Sequence, residues 1–132
     1  MAYSASTTIG AAILLVDDNE VSAEIMGSIL EDLGHTIALA GNGKEALNLL
    51  KSEPSVKLVI TDLAMPEMDG LELIRHINNS DKFKNVQVML LTGSEDEGLV
   101  RKAAEVGCTN YLVKPVHPKL LVERVQKMLG PG

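Results

Sequence analysis

The chain has no tryptophan, one phenylalanine and two tyrosines among 132 residues. Aromatics cannot dominate its core, so Leu, Ile, Val, Ala and Met must fill it. One cysteine, Cys108, excludes an internal disulfide framework. Cys108 lies just before an apolar run and reads as a small core or rim residue rather than a reactive thiol. Apolar runs are short, and none approaches the ~20 residues needed to cross a bilayer. No basic segment opens the chain and its first apolar stretch stops at Asp17, which excludes a signal peptide and makes cytoplasmic residence the default. Positive charge is the scarcer sign. A net charge of −6 argues against a nucleic-acid-binding surface, which would be basic. The three histidines, His35, His76 and His117, fall on separate segments without metal-ligand spacing and read as surface or rim residues.

What is present supports one folded domain. The length is near the commonest domain size, and 45% hydrophobic residues suit a globular fold rather than a disordered one. Residues 1–10 are rich in Ser, Thr and Ala and read as a flexible tail. From Ala11 to about residue 130, short apolar runs alternate with longer amphipathic segments, the pattern of βαβ units around a parallel sheet. Expected strands are Ile13–Val16, His35–Ala40, Leu58–Asp62, Val86–Leu91 and Asn110–Val113. A first helix follows Asn19, with Val21, Ile25, Ile29 and Leu33 at helical spacing, Met26 and Leu30 beside them, and Gly34 as terminator. A second spans Gly43 to Lys51 with Ala46, Leu47 and Leu50 inward. Asp69 caps a third, buried through Leu71, Ile74 and Ile77. Ser94 and Glu97 form a capping box for a fourth, packed by Leu99, Val100, Ala103 and Ala104 and ended by Gly107. Pro118 opens a fifth, packed by Leu121, Val125, Met128 and Leu129. Strand and helix alternate five times, a (βα)5 chain with no segment left over.

Four of the apolar runs end at a reactive polar residue: Asp17-Asp18, Asp62, Thr92 and Lys114. In open α/β sheets ligands bind at the carboxyl ends of the strands. Parallel strands would gather these groups on one rim. Adjacent carboxylates repel unless a cation neutralises them, and Mg²⁺ favours one or two carboxylates, waters and a phosphate oxygen. A helix cap explains one acid of the pair, not both. Asp62 as nucleophile on phosphorus would give an acyl phosphate. Lys114 offers a mobile charge, its stem directed by Pro115, and Thr92 a hydroxyl beside the close-approach residue Gly93.

These residues resemble the response-regulator receiver domain, the phosphoacceptor module of two-component signalling. The resemblance covers Ala11 to Leu129. It rests on the Ile13-Leu14-Leu15-Val16-Asp17-Asp18-Asn19 opening, the Asp62-Leu63-Ala64-Met65-Pro66-Glu67-Met68-Asp69-Gly70 block, Thr92-Gly93 and Lys114-Pro115. It implies a flavodoxin-like three-layer sandwich with strand order 2-1-3-4-5. It implies Asp62 as the phosphorylated residue and Mg²⁺, with Mn²⁺ as a substitute, held by Asp18, Asp62 and the Ala64 carbonyl, with Asp17 acting through a water. Lys114, joined to Pro115 by a cis peptide, would contact the phosphoryl group. Thr92 and Tyr111 would switch the face formed by the fourth helix, fifth strand and fifth helix. The donor would be a histidine kinase or histidine phosphotransfer protein, since none of the chain's own histidines resembles the donor, and the output a protein contact. The domain would catalyse only its own modification, so it is not read as an enzyme. Ala64 and Ser94, two residues after Asp62 and Thr92, are small, which implies a phosphoryl pocket open to water with no acid or amide to orient it. Two other readings stand beside this one. One is a scaffold that is never phosphorylated. The other is a Mg²⁺-dependent phosphohydrolase, which would usually place a second catalytic acid where Ala64 stands.

Overall fold

The computed structural model describes residues 10–65, 67–93 and 97–130. Five strands, β1 (Ile13–Val16), β2 (Ile37–Ala40), β3 (Leu58–Asp62), β4 (Gln87–Thr92) and β5 (Tyr111–Val113), alternate with five helices. These are α1 (Glu20–Glu31), α2 (Gly43–Ser52), α3 (Gly70–Asn78), α4 (Glu97–Glu105) and α5 (Pro118–Leu129). All strand pairs are parallel, in the order β2-β1-β3-β4-β5. This is the expected flavodoxin-like sandwich. One element was not expected from the sequence: a 3₁₀ turn at Asp81–Phe83 between α3 and β4, which buries the only phenylalanine. The capping box at Ser94, Pro66 and the tail over residues 1–9 lie outside the described residues.

The strands read as unbroken apolar runs because both faces of the sheet are covered. Successive side chains point to opposite faces, and the buried residues sort accordingly. Leu14, Val16, Val59, Val88 and Leu90 pack with Ala46 and Leu50 of α2, Leu73, Ile74 and Ile77 of α3, and Ala103 of α4. Ile13, Leu15, Leu58, Ile60, Met89, Leu91 and Leu112 pack with Met26 and Leu30 of α1, and Leu121 and Val125 of α5. Two helices therefore cover one face and three the other.

Three helices bury different residues from those expected. In α1, Val21 and Ile25 are 67% and 58% exposed. The buried side is Ala23, Met26, Gly27 and Leu30. Apolar residues run more than halfway round this helix, and the small residues let the backbone approach the sheet. In α4 Ala103 is the buried residue, Leu99 and Val100 are half-buried, and Ala104 is exposed. In α3, Leu73 is fully buried while Leu71 is only partly so.

Capping residues set the helix starts. Asn19, Asn42 and Asp69 each accept a hydrogen bond from a backbone N–H three residues on. His117 caps α5 through the residue two on, its Nδ1 accepting from Lys119 N at 3.2 Å. Gly34 and Gly107, both at positive φ, end α1 and α4.

Candidate functional site

Four strands, β1, β3, β4 and β5, and the loops after them deliver the site. β1 ends at Val16, and the Asp17 backbone N–H still reaches the Ala40 carbonyl at 3.0 Å. Asp17 is 4% exposed. Its Oδ1 accepts from Asn19 N at 2.9 Å. Its Oδ2 is buried without a hydrogen-bond partner among the described residues. Asn19, not the acid pair, caps α1, so capping does not account for the two aspartates. Asp18 is exposed beside it. Asp62 is the last residue of β3 and is 7% exposed.

Each of Asp17, Asp18 and Asp62 offers a carboxylate oxygen within 4.8 Å of the others. Lys114 Nζ lies 2.7 Å from Asp62 Oδ1. Three carboxylates against one ammonium leave two formal negative charges. That surplus and the orphaned Asp17 Oδ2 fit a hard divalent cation with oxygen ligands. The cluster could hold a metal.

Lys114 is fixed from two sides. Its backbone N–H donates to the Thr92 carbonyl at 2.7 Å, continuing the β4–β5 ladder. The Lys114–Pro115 peptide is cis, as expected. Thr92 ends β4 and is 2% exposed. Asp62 pairs with Leu91, so Thr92 stands one residue further along the neighbouring strand. Thr92, Gly93, Asp18 and Ala64 line a cavity of about 800 Å³ between the N-terminal ends of α3 and α4. Tyr111 does not share this cavity. It sits half-buried on β5, lining a separate groove with Arg124.

Several positioning contacts were not foreseen from the sequence. Thr61, fully buried, donates its hydroxyl to the Asp62 carbonyl at 2.9 Å. Gly70 opens α3 directly against that carbonyl. A Cβ there would collide with the Asp62 oxygen and lie 3.0 Å from Leu63 Cα and Leu90 Cδ1. Gly70 N also donates to the Leu63 carbonyl at 2.8 Å. The only sequence signal was the Asp69-Gly70 pair, a cap followed by the residue that permits close approach. Glu67, in the same loop, adopts φ 68°, a left-handed conformation uncommon outside glycine. Gly43, opening α2, abuts Met68 of this loop.

Cys108 is buried, and its thiol lies 3.1 Å from the Asn110 carbonyl. Burial pushes its pKa above the ordinary 9.0. It belongs to the core, not to the site. His76 and His117 are exposed, while His35 keeps Nε2 buried without a hydrogen-bond partner among the described residues. Among the described residues no helix is long and apolar enough to cross a membrane.

Known proteins are similar to this chain in sequence and fold. The family model for the response regulator receiver domain matches residues 13–126. A chemotaxis protein CheY homolog of Campylobacter jejuni is 37% identical over 121 residues, 91% of this chain and 93% of that protein. A two-component response regulator of Oryza sativa is 37% identical over 106 residues, 80% of this chain and 72% of that protein. Among solved structures, the chemotaxis protein CheY4 of Vibrio cholerae superposes with a TM-score of 0.84 at 28% identity, covering 90% of this chain and 98% of its own. The receiver domain of a signal transduction histidine kinase from Syntrophus aciditrophicus superposes at 0.83 with 33% identity, covering 90% and 89%. Strand order and sequence agree, and the chain belongs to the response regulator receiver domains of two-component signal transduction.

Proposed function

We propose that this domain takes a phosphoryl group from a phosphohistidine of a kinase or phosphotransfer protein onto Asp62 and so switches a protein-interaction surface. The observation that carries the reading is the buried Asp62 carboxylate, 2.7 Å from Lys114 Nζ, within a cluster of three acids. An Asp62 carboxylate oxygen forms the new P–O bond as the P–N bond to the donor imidazole breaks, and the electron pair leaves with the imidazole nitrogen. Asp18, Asp62 and the Ala64 carbonyl would hold Mg²⁺, and Asp17 would act through a water. When bound, the cation offsets charge on the transferring phosphoryl oxygens. Lys114 pairs with a phosphoryl oxygen, and Thr92 donates its hydroxyl to another. Positioning and electrostatics are most of what such a transfer needs.

The product carries about one more negative charge than the carboxylate it replaces. Thr92 moves toward it and Tyr111 turns inward, a population shift between two packings. The output face is α4, β5 and α5. The domain promotes its own modification and its reversal, and turns over no external substrate. Its place of action is the cytoplasm.

Intact-mass measurement after acetyl phosphate and Mg²⁺ tests the reading. The expected adduct is about 80 Da, one phosphoryl group, absent with a chelator and absent in Asp62→Asn. An adduct that persists in Asp62→Asn refutes the assignment. An unmodified wild-type chain favours the scaffold reading. Multiple turnover of a small phosphate ester favours the hydrolase.

A further inference from the structure

We propose that the pocket at the pole opposite Asp62, between the end of α2 and the 3₁₀ turn, docks an acidic segment of a partner protein through one apolar side chain. The contact is independent of phosphorylation, a tether rather than an output. It goes beyond the function proposed above and does not depend on it.

Val56 and Val86 stand just before β3 and β4, at the amino ends of the strands. Asp62 stands at the other end of β3. At about 3.3 Å per residue, roughly 20 Å of chain separates Val56 from the acceptor. The pocket is about 220 Å³. Sites for small organic ligands run from about 300 Å³ upward, so this one suits a single large side chain. Leu50, Val56, Phe83 and Val86 form its apolar wall, and Lys51, Glu53 and Lys82 its lip. Phe83 is the chain's one phenylalanine. Aromatic rings favour edge-to-face pairing, which makes phenylalanine the natural anchor.

The 3₁₀ turn takes no part in the site at Asp62, yet it is firmly built. Ser80 caps it, its hydroxyl accepting from Lys82 N at 3.3 Å. Phe83 N donates to the Ser80 carbonyl at 3.2 Å, and Val86 N to the Phe83 carbonyl at 3.0 Å. Phe83 is thereby held inward and Lys82 left exposed. A wall fixed in advance spares a ligand the cost of ordering it.

Charge selects the partner. The two segments that frame the pocket, residues 50–57 and 79–86, carry Lys51, Lys57, Lys82 and Lys84 against Glu53 and Asp81. Elsewhere the chain carries eight Lys and Arg against sixteen acids. This pole is therefore a basic island on an acidic molecule. Glu53 is already engaged, its Oε2 accepting from Gly10 N at 3.3 Å. Among the described residues neither Lys51 nor Lys82 makes an ion pair. Two lysines around an apolar recess suit carboxylates on both sides of the anchor. Complementary charge steers encounter and rejects wrong partners. An anionic membrane would meet the same lysines, but a recess the size of one side chain favours a peptide.

The test uses a fluorescein-labelled peptide with one phenylalanine between pairs of aspartates, and counterparts with lysine for aspartate or serine for phenylalanine. Anisotropy is read on the full chain before and after acetyl phosphate and Mg²⁺, and on Asp62→Asn. The Asp/Phe peptide is expected to bind all three saturably. Affinities should agree within about twofold, since a ligand that does not distinguish two states shifts neither. Lys51→Glu combined with Lys82→Glu should weaken binding by at least about tenfold, as should serine for phenylalanine. The Lys/Phe peptide should bind the double variant better than the wild type. Unchanged melting temperature and Asp62 adduct show that the double variant is folded, and Lys51→Gln with Lys82→Gln, expected to be intermediate, serves if it is not. Equal binding by wild type and double variant overturns the proposal. So does absence of saturable binding, binding that requires phosphorylation, or tighter binding of phosphatidylserine vesicles through the same lysines. Absence of the Asp62 adduct with peptide binding intact refutes the phosphoacceptor reading alone.

Discussion

Three glycines at one rim have three different surroundings, so alanine at each should give three different results. At Gly70 the new methyl group meets backbone: the Asp62 carbonyl oxygen and Leu63 Cα. Backbone cannot rotate away, so α3 must move off the end of β3. Overpacking of this kind costs typically about 1–3 kcal/mol. In a domain of this size each kcal/mol is worth roughly 3–5 °C in melting temperature, so Gly70→Ala should melt roughly 3–15 °C lower. Its second effect is on Asp62 itself. The Thr61 hydroxyl and the Gly70 close approach converge on the Asp62 carbonyl, so displacing α3 shifts the acceptor. Misplacement by about 1 Å can slow a reaction roughly 100-fold, and acetyl phosphate labelling should slow by about 10- to 100-fold. At Gly43 the methyl group meets Met68 Sδ at 2.7 Å. A thioether chain adapts, so Gly43→Ala should cost less than about 1 kcal/mol. At Gly93 nothing lies within 4 Å and φ is not left-handed. Gly93→Ala should stabilise by about 0.4–1 kcal/mol by restricting the unfolded chain. Thermal denaturation and time-resolved intact mass on the three variants decide the matter. Gly70→Ala matching the wild type in both melting temperature and labelling rate refutes the argument.

Other variants probe other parts of the structure. Val21→Ala should change stability by less than about 0.5 kcal/mol, as for ordinary surface sites, whereas Leu30→Ala, fully buried, should cost about 2–5 kcal/mol in urea titration. Cys108 should resist thiol reagents at neutral pH and react once denatured. Its folded pKa is raised by burial, so the neutral thiol's contribution to stability is complete below pH 9.0, the ordinary value, and is lost as pH rises further. The wild-type urea midpoint should therefore fall toward that of Cys108→Ala across that range as alkali is added. Ala64→Asn places an amide at the exposed rim of the cavity and should hasten loss of the Asp62 adduct. An unchanged decay by intact mass refutes the open-pocket idea.

The sheet was legible because strands buried on both faces write themselves as continuous apolar runs. The rim was legible for a related reason: four of those runs stop at a reactive polar residue, and parallel strands align their ends. Helix faces were harder to read. α1 carries more apolar rows than the sheet can cover, and Val21 and Ile25 imitate a core stripe that Ala23 and Gly27 in fact provide. Small residues give weak periodic signals, yet closest approach requires them. The Thr61 bond to the Asp62 carbonyl, and the Arg124 bond to the Tyr111 carbonyl, left no trace in any motif. They depend on backbone distances between segments, which residue types alone do not specify.

The residues gathered around Asp62 come from positions as far apart as 17 and 114. No fragment of the chain carries the pocket, and it exists only once β1, β3, β4 and β5 lie side by side. A newly made, damaged or partly denatured copy is mute: it retains every reactive side chain and lacks the place where they meet. Conformational integrity thus becomes a licence for receiving the signal, and misfolded copies drop out of the circuit instead of corrupting it.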